Sequence, residues 1–231
     1  MDIADIKNQL ASKPFVKINA LVYESLAEDI ITARLKPGTK IYEKHIADEL
    51  GISRTPVHMA VQQLLREGLA VKSEYGAPVV SRITHDDCMA LCDIRKCLEG
   101  DAAYYAARLI SNEELSELKL QLDRMRYEKS DSKNQSAYHE RMTRANVEFH
   151  RLIVAAAKSK YIYMAYMLIH RNIARYLWYL NSLAKFPLQP SSDGYQLHVS
   201  IYEALRSHNS TIAKAEVQSE IERMYLIRFP E

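Results

Sequence analysis

The segment around Gly51 constrains the fold of this chain most strongly. A short amphipathic run from Glu43 to Leu50 ends at Gly51, and a second run follows Ser53 and continues to about Gly68. Glycine readily takes the left-handed backbone conformation that ends a helix, and serine commonly caps the start of the next one. Pro56 stands in the first turn of the second helix, where no amide donor is needed. Two short helices joined by a tight glycine turn predict a helix-turn-helix.

The second of these helices has one apolar and one polar face. Its apolar side chains recur every three or four residues and are predicted to point inward. They are Val57, Ala60, Val61, Leu64 and Leu65. The outward face carries Arg54, Thr55, His58, Met59, Gln62 and Arg66. An exposed polar face on the second helix of such a pair is typical of a helix that reads DNA in the major groove.

The flanking segments predict a third helix and a wing. An apolar residue at about every fourth position from Ile18 to Ala33 predicts a helix, which Pro37-Gly38 ends. Two strand-like segments, Leu69–Lys72 and Pro78–Val80, follow the helix-turn-helix. The residues between them, Glu74-Tyr75-Gly76, are expected at the tip of a hairpin. A helix-turn-helix followed by such a hairpin is a winged DNA-binding domain.

The rest of the chain is predicted to be helical. One amphipathic run extends from Thr84 to Leu109, and Ser111-Asn112-Glu113-Glu114 has the form of a capping box that opens the next helix. Further helices are predicted over residues 138–157, 161–183, 196–206 and 210–228. The fold class is therefore mainly α, with a winged helix-turn-helix over residues 18–81 and an all-α bundle of six or seven helices over residues 82–231. Residues 1–17 are expected to form a loosely held arm.

Composition limits the classes of function. The chain has 31 basic and 29 acidic residues, a net charge of +2, and residues 1–80 contain ten of each sign. Bulk charge therefore does not indicate nucleic-acid binding, and that inference depends on the motif. No run approaches the ~18 consecutive apolar residues of a membrane span, and the opening residues lack the pattern of a signal peptide. We expect a cytoplasmic protein with no membrane partner.

Five short segments identify a family by their order and spacing. They are Leu35-Lys36-Pro37-Gly38, Leu50-Gly51-Ile52-Ser53-Arg54-Thr55-Pro56-Val57, Leu65-Arg66-Glu67-Gly68-Leu69, Arg95-x-x-Leu98-Glu99 and Asn146-x-x-Phe149-His150. Together they resemble the GntR family of bacterial regulators, and the helical half resembles its FadR-type branch with an FCD effector domain. The resemblance extends from about Val22 to Ile227.

The resemblance implies which residues contact DNA. The positions that match the DNA-contacting positions of the family are Lys44, Arg54, His58 and the wing tip at Tyr75-Gly76, and Thr55 and Gln62 share the exposed face of the same helix. The family usually has arginine at the position of His58. A neutral imidazole cannot make the bidentate contact that arginine makes to guanine, so the half-site read by this chain is expected to differ.

The resemblance also implies a divalent metal in the helical domain. FCD domains commonly bind one through an Asp or Asn, a His four residues later, and two His from later helices. The matching residues are Asn146, His150, His198 and Glu220, with glutamate where the family has its last histidine. These ligands suit Zn, Mn or Ni. Taken singly, His150 and His198 are better explained as hydrogen-bonded core residues, and it is their spacing as a set that favours metal binding.

The function implied is that of a ligand-responsive transcriptional regulator. We expect a homodimer that binds a pseudo-palindromic operator, and a small carboxylate effector that binds near the metal. Arg95 is expected to pair with this effector or with Glu220. Two alternatives are a metal-dependent enzyme that acts on a small acid, for which a helix-turn-helix has no use, and an architectural protein that has lost effector sensing. The sequence does not distinguish a repressor from an activator.

Overall fold

The computed structural model of the chain describes residues 17–126, 133–183 and 192–226. Two compact units divide between Ile83 and Thr84, and each is described by itself. All but the last residue of the arm expected over residues 1–17 lies outside the described part. Among the described helices, none is long and apolar enough to cross a membrane.

The first unit contains three helices and a hairpin, as predicted. The elements are α1 (Ile18–Ile31), α2 (Glu43–Leu50), α3 (Arg54–Arg66), β1 (Ala70–Lys72) and β2 (Pro78–Val80). Between α2 and α3, Gly51 has φ 69°, which is the left-handed conformation expected there. Strands β1 and β2 are antiparallel, with Ala70 opposite Val80 and Lys72 opposite Pro78. This is the winged helix-turn-helix.

Two features of this unit differ from the sequence prediction. Ser53 occupies the N-cap position of α3, as predicted, but its side chain makes no capping hydrogen bond. The sheet also has an additional edge, because the Ile41 amide donates to Pro78 O and the Val80 amide donates to Thr39 O, each at 2.9 Å. These bonds bind the segment after α1 to β2 and fix the base of the wing.

The core of the first unit forms where three helices meet. Val57, Val61 and Leu64 of α3 are fully buried against apolar residues of α1 and α2, while Leu65 is half-buried. Burial of these side chains supplies most of the favourable free energy of such a small domain. It also leaves the opposite face of α3 exposed.

The second unit is a helical bundle, with six helices in the part of it that the structure describes. They are α4 (His85–Leu109), α5 (Asn112–Met125), α6 (Gln135–Ala156), α7 (Lys160–Leu183), α8 (Ser192–Arg206) and α9 (Ser210–Leu226). Capping boxes begin α4 at Thr84 and α5 at Ser111, of which the sequence predicted the second. Helix α4 packs along α9, and α6 packs against α4, α5 and α7.

Gly100 permits the close approach of α4 and α9. A Cβ atom at this position would lie 2.9 Å from Gln218 Cγ on α9, closer than real side chains approach. The contact brings the buried face of α4 next to that of α9, and both faces carry charged residues.

Candidate functional site

Three ligand-type side chains meet in the interior of the helical unit. His150 from α6, His198 from α8 and Glu220 from α9 are 1%, 4% and 2% exposed. His150 Nε2 lies 3.5 Å from one carboxylate oxygen of Glu220, and His198 Nε2 lies 3.7 Å from the other. One ligand atom from each residue falls within 4.8 Å of the others. The structure thus brings together three of the four residues predicted as metal ligands.

The two imidazoles are oriented by groups on their other nitrogen. His150 Nδ1 lies 2.7 Å from Glu99 Oε2, and His198 Nδ1 lies 2.8 Å from the Gly194 carbonyl oxygen. In metal sites, the second ring nitrogen of a ligating histidine usually faces such an acceptor, which fixes the tautomer and turns the lone pair of the first nitrogen to the ion. His198 has that hydrogen bond, whereas His150 has the Glu99 carboxylate close to Nδ1 without a hydrogen bond of suitable geometry.

Asn146 is the fourth predicted ligand and lies at the edge of the cluster. Its side-chain Nδ2 is 2.9 Å from His198 Nε2. Because Gly194 O can only accept, the His198 proton lies on Nδ1, and Nε2 accepts from the Asn146 amide. Rotation of this amide by half a turn would present its oxygen instead, which is the atom that a cation requires.

The cluster contains buried polar atoms whose hydrogen-bonding needs are unmet. His150 Nδ1, His150 Nε2 and Glu220 Oε2 have no hydrogen-bond partner among the described residues. Leaving a buried polar group unsatisfied costs about 1–3 kcal/mol. Burial, as the largest cause, lowers the pKa of His198, so the ring stays neutral near pH 7 with its lone pair available. The donor set and the unsatisfied atoms fit a divalent cation.

A buried ion pair adjoins the cluster. Arg95 and Glu99, both on α4, are 2% and 1% exposed, and Arg95 donates to both Glu99 carboxylate oxygens at 2.6 and 3.2 Å. Burial alone would raise the pKa of Glu99, but the Arg95 guanidinium and the adjacent His150 outweigh it and lower the pKa to about 2. Arg95 therefore hydrogen-bonds to Glu99, whereas the sequence suggested a pairing with Glu220. Its predicted contact with an effector stays a prediction.

Sequence reasoning missed Glu99, although a signal was present. An arginine and a glutamate four residues apart lie on one helix face, and here that face also carries Cys88, Cys92 and Ala103, which are all buried. A charged pair in line with an apolar stripe indicates burial. Glu99 joins the pair to the histidine cluster through His150.

Tyr166 and His170 were also not predicted as site residues. Both lie on α7, and neither Tyr166 Oη nor His170 Nε2 has a hydrogen-bond partner in the described part of the chain, although both atoms are buried. Burial raises the pKa of Tyr166 well above its usual value, and the nearby Glu99 adds to this effect. Tyr166 lies near the Arg95–Glu99 pair, whose charges act on its pKa in opposite directions.

Most of the predicted DNA-contacting residues are exposed on the first unit. Lys44 on α2 is exposed, and so are Arg54, Thr55 and His58 on α3. Gln62 is half-buried on the next turn of α3. At the wing tip, Tyr75 is 91% exposed and Gly76 has φ 76°. His58 contacts Glu43 on α2, a partner that the sequence did not predict.

Comparison with known families accounts for both units. Residues 19–77 match the gntR family of bacterial regulatory proteins, and residues 90–223 match the FCD domain. The chain belongs to the GntR family. As a GntR regulator with an FCD effector-binding domain, it is a transcriptional regulator and not the metal-dependent enzyme that was the alternative. Regulators of this family bind DNA operators and effector ligands.

Individual relatives agree with this assignment along most of their length. The GntR regulator is 25% identical over 202 residues to the uncharacterized HTH-type transcriptional regulator YdhC of Bacillus subtilis, covering 84% of each chain. It is 25% identical over 193 residues to the probable D-xylose utilization operon transcriptional repressor of Paenarthrobacter nicotinovorans, covering 84% of this chain and 80% of the relative. The structure of Escherichia coli McbR/YncC matches its fold with a TM-score of 0.74, at 19% identity, over 92% of this chain and 97% of the other.

Proposed function

We propose that this regulator binds a pseudo-palindromic operator as a homodimer and responds to a small carboxylate effector with the help of a divalent metal. The observation that carries the proposal is the buried cluster of His150, His198 and Glu220, which lies within an FCD domain of a chain that also has a DNA-binding domain. A polar cluster of this kind costs stability unless a ligand satisfies it. One relative is named a probable repressor of a D-xylose utilization operon, and another is named the transcriptional repressor RspR. We therefore propose that this regulator represses transcription.

The metal site provides the chemistry for effector recognition. His150, His198, Glu220 and the Asn146 oxygen would hold Zn, Mn or Ni, and the ion would attract a carboxylate into the buried interior. Arg95 is the buried cation next to this position and would face the same carboxylate while held by Glu99. An effector bound here changes DNA affinity only by binding the DNA-competent and incompetent states unequally.

DNA recognition is assigned to the exposed face of α3. Substitution Arg54→Ala is expected to weaken binding to the specific site by ~1–3 kcal/mol and to affect random DNA much less, because Arg54 would read a base edge. Lys44→Ala is expected to weaken both alike, since a phosphate contact carries no sequence information. Fluorescence anisotropy with a selected site and a scrambled site measures both effects.

A matched control for Arg54 lies on the same helix. Arg66 is equally charged and exposed but sits at the opposite end of α3, away from the end that normally reads bases. Arg66→Ala is expected to retain the preference for the specific site. Unchanged specific binding by folded Arg54→Ala protein would remove the assignment.

Dimerisation is the second part of the proposal that an experiment can test. Reading two half-sites requires two recognition helices about 34 Å apart or a multiple of it, which one chain cannot supply. Helix α7 leaves Tyr161 72%, Met164 63% and Leu168 69% exposed, and large apolar groups exposed together typically mark an interface. We propose that this face of α7 contributes to the dimer.

Sedimentation is expected to show a dimer at micromolar concentration, and Leu168→Glu is expected to weaken it at least tenfold by placing a charge in the interface. Leu120 on α5 is 50% exposed and away from this face, so Leu120→Glu is the control. A monomer both free and on DNA would contradict the dimer. An unchanged dimer in Leu168→Glu would exclude this face of α7.

A further inference from the structure

His58 is held in place by a carboxylate on the neighbouring helix. Its Nδ1 lies 3.1 and 3.2 Å from the two carboxylate oxygens of Glu43. The side chain of His58 is 56% exposed and that of Glu43 is 26% exposed. His58 stands one helical turn after Arg54 on the exposed face of α3. The contact therefore fixes an imidazole on the surface assigned to DNA.

The contact also determines what the ring can offer to a base. An ionised carboxylate only accepts hydrogen bonds, so the His58 nitrogen that faces Glu43 carries the proton. In the neutral ring, the other nitrogen, Nε2, is then an acceptor. Arginine at this position could only donate.

The major groove presents complementary groups on two of the four bases. Adenine offers its N6 amine and cytosine offers its N4 amine as donors, whereas guanine offers two acceptors at O6 and N7, and thymine offers an acceptor and a methyl group. An acceptor at Nε2 pairs with an amine and is left unsatisfied against guanine O6 and N7. The discrimination follows from the tautomer and not from the size of the side chain.

We propose that Glu43 positions His58 as a hydrogen-bond acceptor that selects a base with a major-groove exocyclic amine, adenine or cytosine, on the contacted strand at one position of each half-site. This inference rests on the proposed assignment of α3 to DNA reading. Glu43 is a positioning residue in it, and His58 determines the specificity.

Selection from a random DNA pool at pH 8, where free imidazole is neutral, tests the inference with the full-length protein. The wild type is expected to select an adenine or cytosine at a position whose preference is lost in His58→Ala. Replacing that base by its analogue without the exocyclic amine is expected to lower affinity about tenfold for the wild type and not for His58→Ala. Glu43→Ala is expected to weaken the preference at the same position, and His58→Arg to change it to guanine.

The chain provides a matched control for the Glu43 effect. His45 and Glu49 form a similar exposed contact on α2, at 3.3 Å. Removing that carboxylate with Glu49→Ala changes the local charge equally and is expected to leave the selected site unchanged. All the substituted residues are at the surface, and circular dichroism confirms that each variant folds.

The results of the DNA selection distinguish failure of this inference from failure of the proposed function. If the amine-bearing base of the His58-dependent pair can be replaced by its amine-free analogue without loss of affinity, or if no position depends on His58, the inference is overturned while a sequence-specific regulator remains. A preference that survives Glu43→Ala, or that Glu49→Ala weakens equally, overturns the positioning role of Glu43. Failure of the wild type to select any sequence overturns the proposed function together with the inference.

Discussion

Protein purified without chelator is expected to contain about one divalent ion per chain, and His150→Ala together with His198→Ala is expected to abolish it. The reason is that two imidazoles and a carboxylate already converge in the buried interior, with three of their atoms lacking a hydrogen-bond partner among the described residues. A ligand present at 1,000 times its Kd stabilises the folded state by about 4 kcal/mol. Removing the ion is therefore expected to lower the melting midpoint of the helical unit by roughly 10 °C.

Elemental analysis and differential scanning fluorimetry test this expectation together. His45→Ala serves as the control, because His45 is exposed on α2 in the other unit and should leave metal content unchanged. Metal well below one ion per chain, not restored by added Zn, Mn or Ni, would leave His150 and His198 as packing or ligand-binding residues. The assignment of α3 to DNA does not depend on this outcome.

The pH dependence of metal content follows from the same geometry. Imidazole must be neutral to coordinate an ion, so metal retention is expected to fall as the pH drops below ~6.5, with a midpoint that the bound metal moves lower. Without metal, burial keeps the pKa of His198 below its usual value. The unfolded chain then takes up the proton first as pH falls. Stability of the metal-free protein is therefore also expected to decrease below pH ~6.5.

The helices and the turn of the first unit were predicted from short stretches of sequence, but its backbone hydrogen bonds between distant segments were not. The glycine turn at Gly51 and the apolar spacing of α3 depend on a few neighbouring residues, so their positions are readable from the chain. The bonds from Thr39 and Ile41 to β2 join segments about forty residues apart. No composition or spacing marks them, because backbone hydrogen bonding does not depend on side-chain identity.

The candidate site was predictable only in part for a similar reason. Asn146 and His150 are one helical turn apart, which a sequence shows directly. His198 and Glu220 lie on separate helices, and only the resemblance indicated that they belong with the first pair. The link from Glu99 to His150 crosses from α4 to α6 and depends on how the helices pack. Propensity carries no information about that packing.

Substitution Glu99→Gln is expected to lower the free energy of unfolding by roughly 3–5 kcal/mol, because it leaves the Arg95 cation buried without its hydrogen-bonded counter-charge. The double variant Arg95→Met, Glu99→Gln is expected to be more stable than Glu99→Gln alone, since it removes the stranded charge as well. Recovery of stability in the double variant distinguishes a buried ion pair from simple loss of packing. If only packing were lost, the second substitution would lower the free energy of unfolding further. Trp178 on α7 is the chain's one tryptophan, so its fluorescence in urea reports on this unit.

A pair with the same helical spacing but greater exposure provides the control. Lys119 and Asp123 on α5 are 46% and 51% exposed, and solvent screens their charges. Asp123→Asn is therefore expected to change stability by less than about 1 kcal/mol.

If Glu99→Gln were equally mild, another negative charge would have to stabilise Arg95. Glu220 is the candidate because its charge also raises the pKa of Arg95. That result would restore the pairing of Arg95 with Glu220 that the sequence suggested. In that case the main partner of Glu99 would be His150. Glu99→Gln would then change the metal content of the protein more than its free energy of unfolding.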